Sequence, residues 1–329
     1  MSFITNIRSV AKYESKILVR SWFFRIFTLL AVVFLGFFNF AMMLMEDNFG
    51  LWFAKSVSSN IPYLNLLLLN TGQAVVAVFL SSEFLKRDKK LDTSEVFYVR
   101  PLSNAEYVVG KIWGNLRVFL FLNLLVLAIV LAFNFMASGV TVDLPAYLVY
   151  FFLISIPTLI FIIGLSIFLM LLLKNQALTF ILLLGYIGLT LFYIQDKFYY
   201  LFDYMVYNLP LFKSTIVGFS NLELILNHRA IYFFAGLGFI FFTIFLFKRL
   251  PNARRSHYPW LFLSFCMFLL MVTAGFRHVR SILREGEMRA LYTSINNKYV
   301  YEPKMAIDYY DISVEQKSET IRSVVGMEG

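Results

Sequence analysis

Residues Leu148 to Leu173 read LVYFFLISIPTLIFIIGLSIFLMLLL, without one charged side chain. A helix needs roughly 20 apolar residues to cross the hydrocarbon core of a bilayer, and this stretch exceeds that. Six more stretches are comparable: Ile26–Met45, Ile61–Ser82, Val118–Met136, Ala177–Ile194, Ile231–Phe247 and Trp260–Phe276. The last three of the seven are near the minimum length. The pattern predicts an all-α fold, a polytopic membrane helix bundle.

Composition agrees. Of 329 residues 60% are hydrophobic and 38 are Phe, and the mean hydropathy is +0.72. A soluble core of this size would not cover so much apolar surface. Charged residues make up 15% of the chain, fall between the apolar runs, and leave a net charge of +9. Basic residues beside apolar runs mark membrane orientation and not nucleic-acid binding. The single cysteine, Cys266, lies inside an apolar run, so no intrachain disulfide is possible. No small-residue cleavage site follows the first run, which argues against a cleaved signal peptide.

The positive-inside rule predicts a cytoplasmic N-terminus. That side then holds Arg8, Lys12, Lys16, Arg20, Arg25, Lys86, Arg87, Lys89, Lys90, Arg100, Lys111, Arg117, Lys174, Lys248, Arg249, Arg254 and Arg255. The short external loops hold Lys55, Lys197, Lys213 and Arg229. With seven spans, the tail from Arg277 is extracytoplasmic.

Before the first span, Ile4, Ile7, Val10, Ile17 and Leu18 recur at helical spacing. Arg8, Lys12, Lys16 and Arg20 recur every fourth residue on another face. This reads as an amphipathic helix in the headgroup plane, apolar side down and cations toward anionic lipid.

The loop Glu83–Lys111 is far longer than a tight helix–helix connection. Asp92 or Thr93 caps a short helix that Arg100-Pro101 ends, and Ser103 with Glu106 three residues on makes a capping box for the next helix. Here the chain resembles the type-2 ABC-transporter permeases. Their coupling region has an acidic residue after span two, then basic residues, a Thr-x-Glu-like step, Pro-x-Ser and Gly-Lys before span three. Glu83, Arg87, Thr93, Glu95, Pro101, Ser103, Gly110 and Lys111 match in order, with Arg100 alongside. The preceding helix resembles the family's connecting elbow. The aromatic segment Gln195–Asn227 resembles its partly re-entrant external helices.

The resemblance implies a layout. Residues 1–25 are the elbow and the lead-in to span one. Residues 26–249 are a six-span permease core, with coupling loop 83–117 and external segment 195–228. It implies a mechanism in which a cytoplasmic ABC ATPase pushes on the coupling helix and two permease subunits, identical or not, open a path outward in a bacterial inner membrane. The chain has no nucleotide cradle of its own, because Ala105 stands where the first Gly should be and Ile112 follows Gly110-Lys111. It therefore has no cofactor, and ATP and Mg belong to the partner.

The chain departs from that family after Arg249. Residues 250–276 form a basic loop and a seventh run, read as a span in preference to a buried or interfacial helix. Residues 277–329 form a tail with one strand signal, Tyr310, Ile312 and Val314 alternating with Asp311, Ser313 and Glu315. One strand does not stand alone, so the tail reads as the start of an extracytoplasmic β-rich domain of a longer permease, the alternative being a full-length protein with a loosely ordered tail.

Asn70, Gln73 and Ser81 share a stripe of the second span and line a transport path or bond neighbouring helices; the second reading is favoured. Pro157 kinks the fourth span. No His or carboxylate lies deep in a span, which counts against an ion-coupled carrier. His228, His257 and His278 fall in separate loops on different sides, and no catalytic constellation or metal cluster emerges. A scaffold subunit and an ATPase-independent carrier are the competing functions.

Overall fold

A computed structural model describes residues 3–44, 57–82, 102–136, 142–194, 196–209, 211, 213, 218–219, 221–247, 258–302, 309–317 and 320–328. The coupling-loop residues Glu83, Arg87, Thr93, Glu95, Arg100 and Pro101 lie outside them, as do His257 and the short helix expected there.

Phe3–Arg20 has no Gly or Pro and forms α1. The chain turns at Ser21, whose N–H still bonds the carbonyls of Ile17 and Leu18, and continues as α2 (Trp22–Leu44). The helices α3 (Asn60–Ser82) and α4 (Asn104–Met136) follow. At ~1.5 Å per residue α4 is about 50 Å long, well beyond the ~30 Å hydrocarbon core. The apolar run Val118–Met136 is its second half, and its polar first half projects past the membrane-length portion.

The fourth run is a composite. It consists of α5 (Leu144–Tyr150), a π-helical turn at Phe151–Ser155, and α6 (Ile156–Leu173). The break falls just ahead of Pro157, where a proline removes one helical N–H. Lys174 in a left-handed conformation ends α6. Asn175 then caps α7 (Gln176–Leu189), its Oδ1 accepting from the N–H groups of Ala177 and Leu178. A second π turn, Thr190–Ile194, follows. The bundle is completed by α8 (Leu222–Leu246) and α9 (Tyr258–Tyr299).

The protein is an integral membrane protein with seven candidate spans. The windows of α3 and of α5–α6 are each 61% buried, while those of α2, α7 and α9 are 17%, 22% and 11%. The first two form the centre of the bundle, and the last three turn most of that surface away from the other helices. The helices α6 and α8 cross with their backbones in close approach. A Cβ on Gly236 would lie 2.7 Å from the Ile160 carbonyl, and one on Gly164 would lie 2.7 Å from that of Gly236.

The expected tail begins as helix, α9 continuing to Tyr299 past the last apolar residue of the run. One expectation about it needs correction. The strand signal is β1 (Tyr309–Lys317), and it does have a partner. It pairs antiparallel with β2 (Thr320–Glu328), Ile312 opposite Val325 and Glu315 opposite Arg322. The residues Ile321, Val324 and Val325 are adjacent or interrupted, so β2 carries no clean alternation to announce it.

Candidate functional site

At one end of the bundle α1 lies along the projecting half of α4. Ser103 and Glu106 form the capping box. The Ser103 N–H donates to Glu106 Oε2 at 2.6 Å, and the Glu106 N–H donates to Ser103 Oγ at 3.2 Å. The other carboxylate oxygen accepts from Asn6 Nδ2 of α1 at 2.8 Å. One turn on, Lys111 Nζ is 3.2 Å from Glu14 of α1, both side chains buried. Arg117 donates to Ser15 Oγ at 2.5 Å and to the Ala11 carbonyl at 2.8 Å. Gly110 and Gly114 permit this approach: a Cβ on either would come within 2.7 Å of Val10 Cβ or Glu14 Cβ.

The four cations Arg8, Lys12, Lys16 and Arg20 are exposed as expected, and Ile4 of the apolar set is exposed too, but not all of the helix surface is open. Ala11, Glu14, Ser15 and Leu18 are buried, packed mainly on α4. The periodicity of this helix was legible in its sequence. Its partner was not, because a buried Glu14 reads as polar until Lys111 is placed opposite it. Of the matched coupling residues, Ser103, Gly110 and Lys111 are thus brought together at the α1–α4 junction, where the undescribed loop returns to the bundle.

In the centre, Asn70 and Gln73 of α3 meet Asn123 of α4 and Ser155 of the π turn. Asn70 Nδ2 donates to Asn123 Oδ1 at 3.0 Å, Asn123 Nδ2 to Gln73 Oε1 at 2.8 Å, and Ser155 Oγ to Asn123 Oδ1 at 2.8 Å. All four residues are buried. Nearer the other end Asn39 of α2 and Asn65 of α3 exchange amide bonds at 2.7 and 3.1 Å. These amides are tied helix to helix. Ser81 stands in the last turn of α3, apart from them.

At the opposite end the segment between α7 and α8 folds down into the bundle. Asp203, Tyr204, Met205, Val206 and Leu209 are all buried. Tyr63 of α3 donates to the Val206 carbonyl at 3.2 Å, Tyr150 of α5 to that of Leu211 at 2.7 Å, and Thr71 Oγ1 is 2.6 Å from Tyr207 Oη. Lys213 Nζ reaches both oxygens of Asp143 at 2.8 and 2.7 Å. The Asp203 carboxylate accepts the N–H groups of Tyr207 and Asn208 at 3.0 and 2.8 Å. Burial pushes its pKa above the ordinary carboxylate value, and those two N–H groups and the Arg229 charge only partly oppose the shift.

Arg229 is the residue most misplaced by the sequence reading. It is not in a loop. It is buried in α8, with Nε donating to the Leu153 carbonyl at 2.6 Å. Its Nη1 donates to Tyr204 O at 2.9 Å, and Nη2 to Thr158 Oγ1 at 2.8 Å and to Ile154 O at 3.3 Å. His228 and His278 also need correction. They do not lie apart on different sides but face each other between α8 and α9, ring centroids 5.0 Å apart. His228 is buried within a candidate span, toward one end of α8 and away from its middle.

Each histidine holds one residue of an unusual turn. Phe198, Tyr199 and Tyr200 have φ of +53°, +59° and +62°. Bulky residues in this left-handed region lose about 1–2 kcal/mol each. His228 Nε2 bonds the Tyr200 carbonyl at 3.0 Å, and His278 Nε2 bonds that of Tyr199 at 2.9 Å. Tyr232 of α8 donates to the Leu201 carbonyl beside them.

Among the described residues no group of three His, Cys, Asp or Glu is placed to hold a metal ion. No protein-family model matches the chain, and no curated protein matches it in sequence.

Proposed function

We propose that the chain is the membrane-spanning permease subunit of an ATP-driven exporter. The observation that supports this most directly is the α1–α4 junction. The same cluster that fixes Ser103 through Glu106 also grips α1 through Asn6, Glu14 and Arg117. A push delivered to loop 83–101 would reach α1 and the projecting half of α4 together, as one rigid lever. On this reading that end is cytoplasmic, and a separate ABC ATPase with ATP and Mg docks on the loop. A second permease subunit, identical or different, completes the path. The segment 196–213 closes the extracytoplasmic end, and the membrane is a bacterial inner membrane.

A scaffold role is favoured by one other observation. Beyond Phe276, α9 and the β1–β2 hairpin expose Leu291, Tyr292, Ile295, Ile312, Val314 and Ile321, a surface suited to a partner.

The test is a pull-down of the tagged chain from native membranes, with ATPase activity measured on the eluate, beside a Glu95→Ala/Arg100→Ala variant. Co-purification of a nucleotide-binding subunit, with coupled activity lost in the variant, supports the exporter. An eluate without ATPase, or a variant equal to wild type, removes that reading. Transport by the chain alone in vesicles would then identify a carrier, and no transport would leave the scaffold.

A further inference from the structure

We propose that His228 and His278 form a proton-operated clasp, which holds the left-handed turn Phe198–Tyr200 and the buried segment behind it against α8 and α9, and which acidification of that face releases. The inference does not depend on an ATPase acting at the other end.

Three observations carry it. First, three consecutive aromatic residues without a glycine occupy a conformation they disfavour. Such a turn persists only while its surroundings hold it. Second, the turn is closed by its own backbone bonds, Tyr200 N–H to Lys197 O and Leu201 N–H to Phe198 O, and it is tied to α8 and α9 by Tyr232 on the Leu201 carbonyl and by the two imidazoles, each bonding the carbonyl of one strained residue. Carbonyls only accept, so each Nε2 carries its proton in the neutral ring. In that state His228 Nδ1 is a buried lone pair with no partner among the described residues. His278 Nδ1 lies 3.4 Å from the Leu224 carbonyl.

Third, the surroundings oppose a second charge on these rings. The two imidazoles face each other across α8 and α9, and α8 adds the Arg229 guanidinium and the Tyr232 phenol. From the segment they are Tyr199, Tyr200, Asp203 and Tyr204, with Tyr186 of α7 stacked on Tyr204. On α9, Arg277 stands next to His278 on the exposed side. Asp203 is the one acid in this set. Its two oxygens are already occupied by the N–H groups of Tyr207 and Asn208. Protonating both rings would therefore put two imidazoliums 5.0 Å apart beside a buried guanidinium. Like charges this close in a desolvated site are strongly unfavourable. The pair is relieved when the turn lifts away and water enters, and the strain in Phe198–Tyr200 favours the same movement. Histidine is the side chain that makes such a change between about pH 5 and 8.

The experiment uses the full chain in nanodiscs, with Cys266→Ser and a spin label on Phe202→Cys, an exposed position beside the turn. A second sample carries the label on Leu226→Cys, exposed on α8. Spectra are compared at about pH 7.5 and about pH 5. The expected result is a several-fold, reversible rise in the mobile component at position 202 with position 226 unchanged. His228→Gln/His278→Gln, which keeps an N–H donor at each place but takes up no proton, should lose that rise. The proposal fails if position 202 is equally immobile at both pH values. It fails if position 226 loosens in step, which would be acid unfolding of the bundle. It also fails if the glutamine variant responds as wild type does. Should the double variant not be recovered folded, each single glutamine variant must diminish the rise, and an undiminished response in both overturns the clasp.

Discussion

The Nε of Arg229 lies 2.6 Å from the carbonyl of Leu153, whose α-helical donor would be the N–H that Pro157 lacks. A proline in one helix and a buried cation in another thus answer each other. The guanidinium also takes the next carbonyl, Ile154, and the Thr158 hydroxyl. Arg229→Met should lower stability by about 3 kcal/mol, since several buried acceptors lose their donor at once. Pro157→Ala restores an N–H for Leu153 and should recover roughly 1 kcal/mol of that loss. Thermal unfolding of the four proteins in one detergent forms the cycle. Strict additivity would show that Arg229 does not act through the carbonyl freed by Pro157.

The buried pair Glu14–Lys111 joins α1 to α4 at 3.2 Å. Removing one partner leaves the other charge desolvated, a loss of about 3–5 kcal/mol. Lys111→Met should therefore free α1 and expose it to protease. Glu14→Leu combined with Lys111→Met should restore much of the protection, because two apolar side chains of similar length fill the same space. If the double variant is cut as fast as the single one, the ion pair does more than hold α1 in place.

The glycines divide by what surrounds them. Gly236 has the Ile160 carbonyl and the Phe161 nitrogen at 2.7 Å from a would-be Cβ, so backbone and not a flexible side chain stands in the way. Gly236→Ala should force α6 and α8 apart and lose about 1–3 kcal/mol. Gly185 and Gly36 meet nothing within 4 Å. Alanine there should be neutral or raise helix stability by up to ~1 kcal/mol. Melting temperatures of the three variants decide this, and a neutral Gly236→Ala would mean the two helices do not cross so closely.

The spans were legible because apolar length is a property of the sequence alone. What was not legible is where polar residues go once helices meet. Arg229 follows Leu222–Asn227 in a stretch whose helical periodicity begins before its apolar run. The apolar run begins only at Ile231, so run length alone leaves the arginine outside the span. The α9 extension was hidden for the same reason, since Arg277–Tyr299 is helical without being apolar. His228 and His278 are separated by a full span and a loop, and nothing local pairs them. By contrast, Ser103 and Glu106 were readable because a capping box is complete within four residues. The amides Asn70 and Gln73 were found in sequence. Their partner Asn123 lies amid the apolar residues of span three, and only the bundle brings it to them.

Asp203 offers a test by pH. Its folded pKa is raised by burial, so the fold prefers the neutral carboxyl. The sign follows: this contribution to stability is fully present below the ordinary carboxylate range of about pH 4, and it is lost as pH rises through the raised value. With both histidines changed to Gln, so that their opposite response is removed, thermal stability should fall as pH rises above the ordinary carboxylate range. Asp203→Asn in that background should flatten the slope, because no charge is then forced into the buried turn. The amide keeps one acceptor for the N–H groups of Tyr207 and Asn208 and loses the other, about 1 kcal/mol at acid pH. The two melting curves should therefore converge or cross as pH rises. Parallel curves would mean that Asp203 stays ionised throughout, with its two backbone donors outweighing its burial.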